Sequence, residues 1–302
     1  MFFVSAIPIH FNPNMFSIGN FVLSWHGFFS VVAMVVGVWM AGRAASRDNL
    51  DKDLVYNTAI WGIIGGVIGA RLVHVIDYWS VYSLNPVSIF QMWSGGIGLW
   101  GGILGGWLGG SAYGFFSKQN VGKLMDIGAA SLLVGQTIGR IGDIINGEHC
   151  AISTDAPWGW FFTHPNSPGR YCIEKSSNWS QGYFPEGTSY QTPVHPAIVY
   201  EMIWNMIGFI IITLLRGRVR PDGSIFMIYL FWYSIGRFFV QFLRLDSIKF
   251  GIFQEAHIIA FICFFITGIF IIFKTRLSFK TENNTLAKIG TRSERRRKSR
   301  NL

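Results

Sequence analysis

Two arginines lie within long apolar stretches of this chain, where a charge is costly. Arg140 lies in the fourth such stretch and Arg237 in the sixth. A charged side chain at membrane depth usually faces a cavity or a partner, and a guanidinium offers a fork of N–H groups that matches a phosphate. The pair is therefore a candidate receptor for a phospholipid phosphate. For Arg71 and His74, near the end of the second stretch, internal pairing or snorkelling is an equally good explanation.

Groups that could move a proton accompany these arginines. Asp143 and Glu148 follow Arg140 closely, and His26 lies near the start of the first apolar stretch. An imidazole suits a general base near neutral pH, although a packed histidine that donates to a backbone carbonyl explains His26 equally well. Asp143 lies one helical turn after Arg140, so the two are expected to form an ion pair that would compete with a phosphate. Glu148 is expected to anchor a loop that closes over the bound group.

The elements that must position these side chains are membrane helices. Of the 302 residues 50% are hydrophobic and only 14% are charged, whereas a soluble domain carries about a quarter charged residues. A span needs about 20 apolar residues, and seven runs are long enough. The fold class predicted is an all-α integral membrane protein with about seven transmembrane helices, at Phe21–Ala41, Ala59–Ile76, Ile89–Phe115, Ile127–Ile145, Pro196–Leu215, Ser224–Leu243 and His257–Phe273.

The basic residues of the connecting segments predict the orientation. They cluster in the segments that follow the first, third, fifth and seventh runs. The positive-inside rule places these segments in the cytoplasm and the N-terminus outside. Residues 1–275 form the membrane domain, and residues 276–302 form a basic cytoplasmic tail that is predicted to be disordered. A basic tail could also bind nucleic acid, but beside a membrane anionic lipid is the better partner, and no nucleic-acid partner is predicted.

Residues 146–195 are the only outside segment long enough for a small external subdomain. The segment holds Cys150 and Cys172, which could form a disulfide. A zinc site built from His149, Cys150, His164 and Cys172 is a weaker alternative, because paired ligand spacing is missing. No metal ion or other cofactor is predicted.

Glycines within the second and third runs follow a small-xxx-small pattern. Gly62 and Gly66 are four residues apart, and so are Gly102 and Gly106. Small residues at this spacing allow two helices to approach closely in a bilayer. We therefore expect these two runs to pack against other helices through their glycine faces.

Five sequence blocks, in order, resemble the prolipoprotein diacylglyceryl transferase family. The resemblance extends from about Phe16 to Phe273, and Asp126 also falls on a family aspartate. The family signature G-R-x-G-N-F-x-N-x-E-x-x-G is matched at Gly139, Arg140, Gly142, Asn146 and Glu148. The other four blocks are "SIGNFVLSWHG", "WSGGIGLWGG", "HPAIVYE" and "YSIGRFFVQFLRLD".

The resemblance implies an enzyme of the bacterial cytoplasmic (inner) membrane. Such an enzyme transfers a diacylglyceryl group from phosphatidylglycerol to the lipobox cysteine of a lipoprotein precursor, forming a thioether. Its partners would be phosphatidylglycerol or a related anionic phospholipid, the precursor signal peptide and membrane lipids. Besides Arg140 and Arg237, the resemblance assigns substrate-binding or arginine-orienting positions to Asn146, Tyr200, Glu201, Gln241 and Arg244.

This sequence differs from the family pattern at four positions that carry chemistry. Trp100 replaces the family's H-G-G histidine, His26 its W-Y-G tyrosine, Asp143 the signature asparagine and Gln241 a glutamate. An indole cannot accept a proton from a thiol, since its nitrogen is only a donor. We therefore predict His26 as the base, with Asp143 as the competing candidate. Two other hypotheses remain: a transferase for another lipid or acceptor, and a non-catalytic homologue that binds anionic phospholipid.

Overall fold

Seven long helices dominate the computed structural model, which describes residues 6–19, 21–48, 50–91, 96, 98–172, 189, 191–245, 248–251 and 253–278. Within these residues each of the seven predicted runs overlaps one helix of at least 18 residues. They are α1 Trp25–Arg47, α2 Lys52–Asp77, α3 Leu99–Phe116, α4 Val121–Asn146, α5 Ala197–Leu215, α6 Ser224–Gln241 and α7 Glu255–Lys274. Four of them, α1, α2, α5 and α7, are long and apolar enough to cross a membrane. Most of the predicted basic tail lies outside the described residues.

Two helices begin later than the apolar runs predicted. The first run was expected to be helical from Phe21, but Phe21–Ser24 is strand β3, paired antiparallel with β2 at Asn14–Ile18. Ser24 then caps α1, its Oγ accepting a hydrogen bond from the Gly27 amide at 3.1 Å. Hydrophobicity alone does not distinguish a short strand from a helix, which explains the difference.

The third run was expected to be helical from Ile89, whereas α3 begins at Leu99. Residues Pro86–Phe90 form a 3₁₀ turn instead, after a short helical turn at Trp79–Tyr82. Arg71 holds this segment, because its guanidinium donates to the carbonyls of Ser88, Ile89 and Gly96 at 2.6, 2.8 and 2.9 Å. Of the two explanations for Arg71, internal pairing fits these contacts.

The predicted glycine packing joins α2 to α3. A Cβ added to Gly65 would collide with the Gly105 carbonyl oxygen, and one added to Gly66 would lie 3.2 Å from the Gly102 oxygen. Because glycine has no side chain, the two backbones can touch along their length.

A carboxylate on α4 fixes the start of α6. Asp126 accepts hydrogen bonds from the backbone amides of Gly223 and Phe226 at 2.8 and 2.9 Å. Free amides at a helix N-terminus favour a negative partner. These two hydrogen bonds therefore fix the position of α6 along α4, and so the position of Arg237 relative to Arg140.

Short strands and a small apolar core accompany the ends of the helices. Strand β1 at Ile7–Ile9 pairs in parallel with β4 at Trp160–Phe162. The remaining strands form two antiparallel pairs, β5 Val219–Arg220 with β8 Arg276–Leu277, and β6 Ile248–Phe250 with β7 Phe253–Gln254. The core beside β1 and β4 contains Ile9, Ala151, Trp160, Phe162, Val194, Ala197, Ile198 and Val240.

Cys150 and Cys172 form a disulfide that spans a sequence separation of 22 residues. It ties the segment after α4 to the 3₁₀ turn Pro168–Tyr171. The possible disulfide is therefore present, and the zinc alternative is wrong because both thiols are already used.

Candidate functional site

The site begins where α1 passes across the end of α4. A Cβ added to Gly142 would lie only 2.7 Å from the Cα of His26, so a glycine is needed there for the two helices to meet. Ser24 ends β3 and starts α1, which leaves His26 in the first helical turn. The close approach places the imidazole beside the residue after Gly142, which is Asp143.

His26 and Asp143 form a hydrogen-bonded pair. His26 Nδ1 lies 2.6 Å from Asp143 Oδ1, and the side chains are 43% and 5% exposed respectively. An ionised carboxylate only accepts hydrogen bonds, so Nδ1 carries a proton, and in the neutral ring Nε2 keeps its lone pair. The alternative of a packed histidine that donates to a backbone carbonyl is wrong, because the partner is a carboxylate and the ring is partly exposed.

Asp143 also pairs with Arg140. Arg140 Nη1 lies 2.6 Å from Asp143 Oδ2, which confirms the ion pair expected from their spacing on one helix. One buried carboxylate therefore holds an imidazole through one oxygen and a guanidinium through the other. Any change in charge at His26 or Arg140 is transmitted to the other through Asp143.

Glu201 brings the two arginines of the apolar runs together. Its Oε2 lies 2.7 Å from Arg140 Nη2, and its Oε1 lies 2.5 Å from Arg237 Nη1. The carboxylate comes from α5 and is buried, whereas the arginines come from α4 and α6 and are 20% and 18% exposed. The two guanidiniums are thus neighbours on either side of one carboxylate.

His149 was missed as a site residue by the sequence analysis, which considered it only as a zinc ligand. Its Nδ1 lies 2.8 Å from Arg244 Nη2, and its Nε2 lies 3.0 Å from Arg140 Nη1 and 3.4 Å from Asp143 Oδ2. A guanidinium can only donate, so each ring nitrogen of His149 faces a donor, while Nε2 also lies near the Asp143 carboxylate. Burial lowers the pKa of His149, the two guanidiniums lower it further, and Asp143 offsets only part of this.

Glu148 lies at the exposed side of the cluster and is held by the buried Asn146. Asn146 Nδ2 donates to Glu148 Oε1 at 2.6 Å, and Glu148 Oε2 lies 3.7 Å from His26 Nδ1. The Ser167 hydroxyl donates to the Asn146 carbonyl at 3.3 Å. The loop that follows α4 is therefore attached to the site through Glu148.

Three of the remaining residues assigned by resemblance occupy supporting positions. The hydroxyl of Tyr200 accepts from Trp158 Nε1 at 2.7 Å and lies 3.3 Å from His195 Nδ1; within the described residues it bonds to neither Arg140 nor Arg237. Gln241 is fully buried and donates to Gln254. Gln254 in turn donates to the Arg244 carbonyl at 2.9 Å, so these side chains hold the backbone around Arg244.

His26, Asp143 and Glu148 also offer metal-ligand atoms, all within 4.8 Å of one another. Ligand atoms around a tetrahedral zinc ion are about 3.3 Å apart, given bonds of about 2.0–2.1 Å. The 2.6 Å contact between His26 and Asp143 is shorter than that, and Arg140 already neutralises Asp143. The geometry suits a hydrogen-bonded pair better than a metal centre.

Comparison with known proteins identifies the family of this chain. Residues 13–273 match the family model described as prolipoprotein diacylglyceryl transferase. The chain is 36% identical over 236 residues to the phosphatidylglycerol–prolipoprotein diacylglyceryl transferase of Halalkalibacterium halodurans, covering 78% of this chain and 76% of that protein. It is 34% identical over 239 residues to the protein of the same name from Staphylococcus haemolyticus, covering 79% of each. This chain therefore belongs to the prolipoprotein diacylglyceryl transferase family.

Proposed function

We propose that this protein is a membrane transferase that moves the diacylglyceryl group of phosphatidylglycerol onto the cysteine thiol of a lipoprotein precursor. The observation that carries the proposal is the shared use of Glu201 by Arg140 and Arg237, beside His26, whose Nε2 has no hydrogen-bond partner among the described residues. This reaction requires guanidinium groups that bind the phosphate and a group that accepts the thiol proton.

His26 is the general base of the proposed reaction. The thiol proton moves to His26 Nε2, because a thiolate is the nucleophile and Nδ1 is already bonded to Asp143. The sulfur then bonds to the carbon of the diacylglyceryl group that carries the phosphate. The bond from that carbon to the phosphate oxygen breaks, and the other glycerol leaves as glycerol phosphate. The Asp143 carboxylate stabilises the imidazolium that forms.

Arg140 and Arg237 stabilise the charge that develops on the leaving phosphate. Arg237 contacts Glu201 through Nη1, and among the described residues its Nη2 and Nε remain available to donate to a phosphate. Arg140 contacts carboxylates through both Nη groups, so a phosphate must either share Arg140 with Asp143 and Glu201 or displace one of them. Protonation of His26 draws Asp143 toward the imidazolium, which frees Arg140 as the leaving group needs it.

The pair formed by Arg140 and Asp143 also favours a specific alternative. Asp143 competes with a phosphate for Arg140, so a lipid with a less negative head group could suit the site. A comparison of lipid donors distinguishes this alternative from the proposed use of phosphatidylglycerol. Phosphatidylglycerol should be the better donor if Arg140 exchanges partners during the reaction.

The direct test uses purified protein in mixed micelles with phosphatidylglycerol and a lipobox peptide. Mass spectrometry should show one diacylglyceryl group added to the peptide cysteine, and a peptide with serine in its place should stay unmodified. Phosphatidylethanolamine and phosphatidylcholine serve as alternative donors. No transfer from any of the three lipids, together with retained phosphatidylglycerol binding, would favour the non-catalytic homologue.

The site also supports a complete topology of seven spans. His26 and Glu201 lie near the starts of α1 and α5, whereas Asp143 and Arg237 lie near the ends of α4 and α6. If all seven helices cross a bilayer in alternating directions, these four residues meet at one side and the basic connections lie at the other. By the positive-inside rule the site faces outward and the C-terminus lies in the cytoplasm.

Reporter fusions test this topology. Alkaline phosphatase fused after residue 302 should be inactive, and a fluorescent protein at the same position should be bright, since each functions on only one side of the inner membrane. The matched fusions after residue 164 should give the opposite result. Phosphatase activity of the fusion after residue 302 would contradict the assigned orientation.

A further inference from the structure

Two tryptophans join α5 to α6 in a reciprocal contact. Trp204 Nε1 donates to the Trp232 carbonyl at 2.9 Å, and Trp232 Nε1 donates to the Trp204 carbonyl at 3.0 Å. The two indole rings stack with centroids 4.2 Å apart and planes 11° from parallel. Each residue therefore acts as donor, acceptor and stacking partner for the other.

The sequence makes room for this contact in the same way on both helices. Gly208 follows Trp204 by four residues, and Gly236 follows Trp232 by four. A Cβ at Gly208 would lie 2.5 Å from Trp232 Nε1, and a Cβ at Gly236 would collide with the Trp204 indole. The missing side chains let each indole reach the carbonyl of the opposite tryptophan, which retains a second lone pair beyond its helical bond.

We infer that this pair, the tryptophan clamp of Trp204 and Trp232, positions Glu201 against Arg237 for catalysis. Glu201 lies three residues before Trp204 on α5, so the two share one face of the helix. Arg237 directly follows Gly236, against which Trp204 packs. The clamp therefore lies within one to two turns of the 2.5 Å contact between Glu201 and Arg237. The tryptophans are positioning residues, and this inference rests on the proposed function.

Helix register in a bilayer needs directional contacts of this kind. Lipid tails are as apolar as the helix surfaces, so burial of apolar side chains does not fix how far one membrane helix slides along another. Two reciprocal hydrogen bonds permit only one register, because a slide that lengthens one bond lengthens or misdirects the other. A shift of about 1 Å at a reacting centre can reduce the rate about 10²-fold, so the clamp has a direct influence on turnover.

The test compares Trp204→Phe, Trp232→Phe and the double variant with Trp107→Phe, a tryptophan on α3 that is 48% exposed. Each clamp variant should lower kcat for diacylglyceryl transfer by about 10- to 100-fold, with KM for the lipobox peptide unchanged. The double variant should be no slower than the slower single variant, since either change already breaks the reciprocal contact. Far-ultraviolet circular dichroism should lose the signal of the stacked indoles in both single variants and keep it in Trp107→Phe.

Gly236→Ala gives a second, independent measurement. It retains both indole N–H groups but pushes Trp204 away, so it should reproduce the loss in kcat. Unchanged kcat in the single variants, or a double variant whose loss equals the product of the single losses, would overturn the inference.

Phosphatidylglycerol binding separates this inference from the proposed function. If the wild-type protein transfers nothing but binds the lipid, the proposed function fails while the clamp can still be tested. The clamp variants should then bind phosphatidylglycerol about tenfold more weakly than Trp107→Phe does. Equal binding in that case would overturn the clamp as well.

Discussion

Arg140→Gln is expected to reduce the rate of diacylglyceryl transfer by at least about 10²–10³-fold. Glutamine keeps a polar amide on a shorter side chain and removes the charge that stabilises the leaving phosphate. It also leaves Asp143 and Glu201, which contact Arg140 at 2.6 and 2.7 Å, with less compensation. The measurement is kcat with phosphatidylglycerol and a lipobox peptide, per folded molecule.

Arg216→Gln is the matched control. Arg216 follows α5 at the opposite end from the site and pairs with Asp48 at 2.9 Å, so it is also an arginine bound to a carboxylate. Its loss should lower the melting temperature without a change in kcat. If Arg140→Gln behaves in the same way as this control, Arg140 has a structural role and the phosphate site must lie elsewhere.

His26→Phe is expected to lower the transfer rate by about 10²–10⁴-fold, which is the usual loss when a general base is removed. Phenylalanine keeps the ring and the packing but cannot accept a proton. Asp143→Asn should also slow the reaction, since the asparagine no longer fixes the imidazole tautomer or stabilises the imidazolium. Near-normal activity of His26→Phe together with a collapse in Asp143→Asn would move the role of base to Asp143.

A sharper test moves the imidazole from α1 to α3. Trp100, which replaces the family's histidine, lies in the first turn of α3. If one imidazole is needed and either helix can supply it, Trp100→His should recover part of the activity lost in His26→Tyr. No recovery in a double variant of normal stability would mean that the imidazole acts only from α1, in its contact with Asp143.

Contacts within one helix could be predicted from the sequence. The ion pair between Arg140 and Asp143 follows from their spacing, because residues three apart share a helix face. The glycine faces of α2 and α3 follow from a repeat at helical spacing for the same reason, although the repeat does not say which helix each face meets. The number and order of the long helices follow from the lengths of the apolar runs.

Contacts between helices required the structure. Whether Glu201 faces both arginines depends on the rotation of α4, α5 and α6 about their own axes, which the lengths of the runs do not determine. His149 lies after the Gly147 cap of α4, outside any periodic element, so no pattern indicated that it would lie between Arg140 and Arg244. The starts of α1 and α3 were misplaced because strands and turns at those points are apolar too.

The disulfide between Cys150 and Cys172 connects this protein to the supply of oxidant in the cell. Cys150 directly follows His149, so the bond holds the loop that carries Glu148 and His149. Formation of the disulfide removes two electrons from each new molecule. Such bonds form and persist in oxidising compartments. With the site facing outward as proposed, a cell without an electron acceptor for this step would insert all the helices yet leave the loop untied. Lipoprotein maturation in such a cell would depend on its supply of oxidant as well as on its lipids.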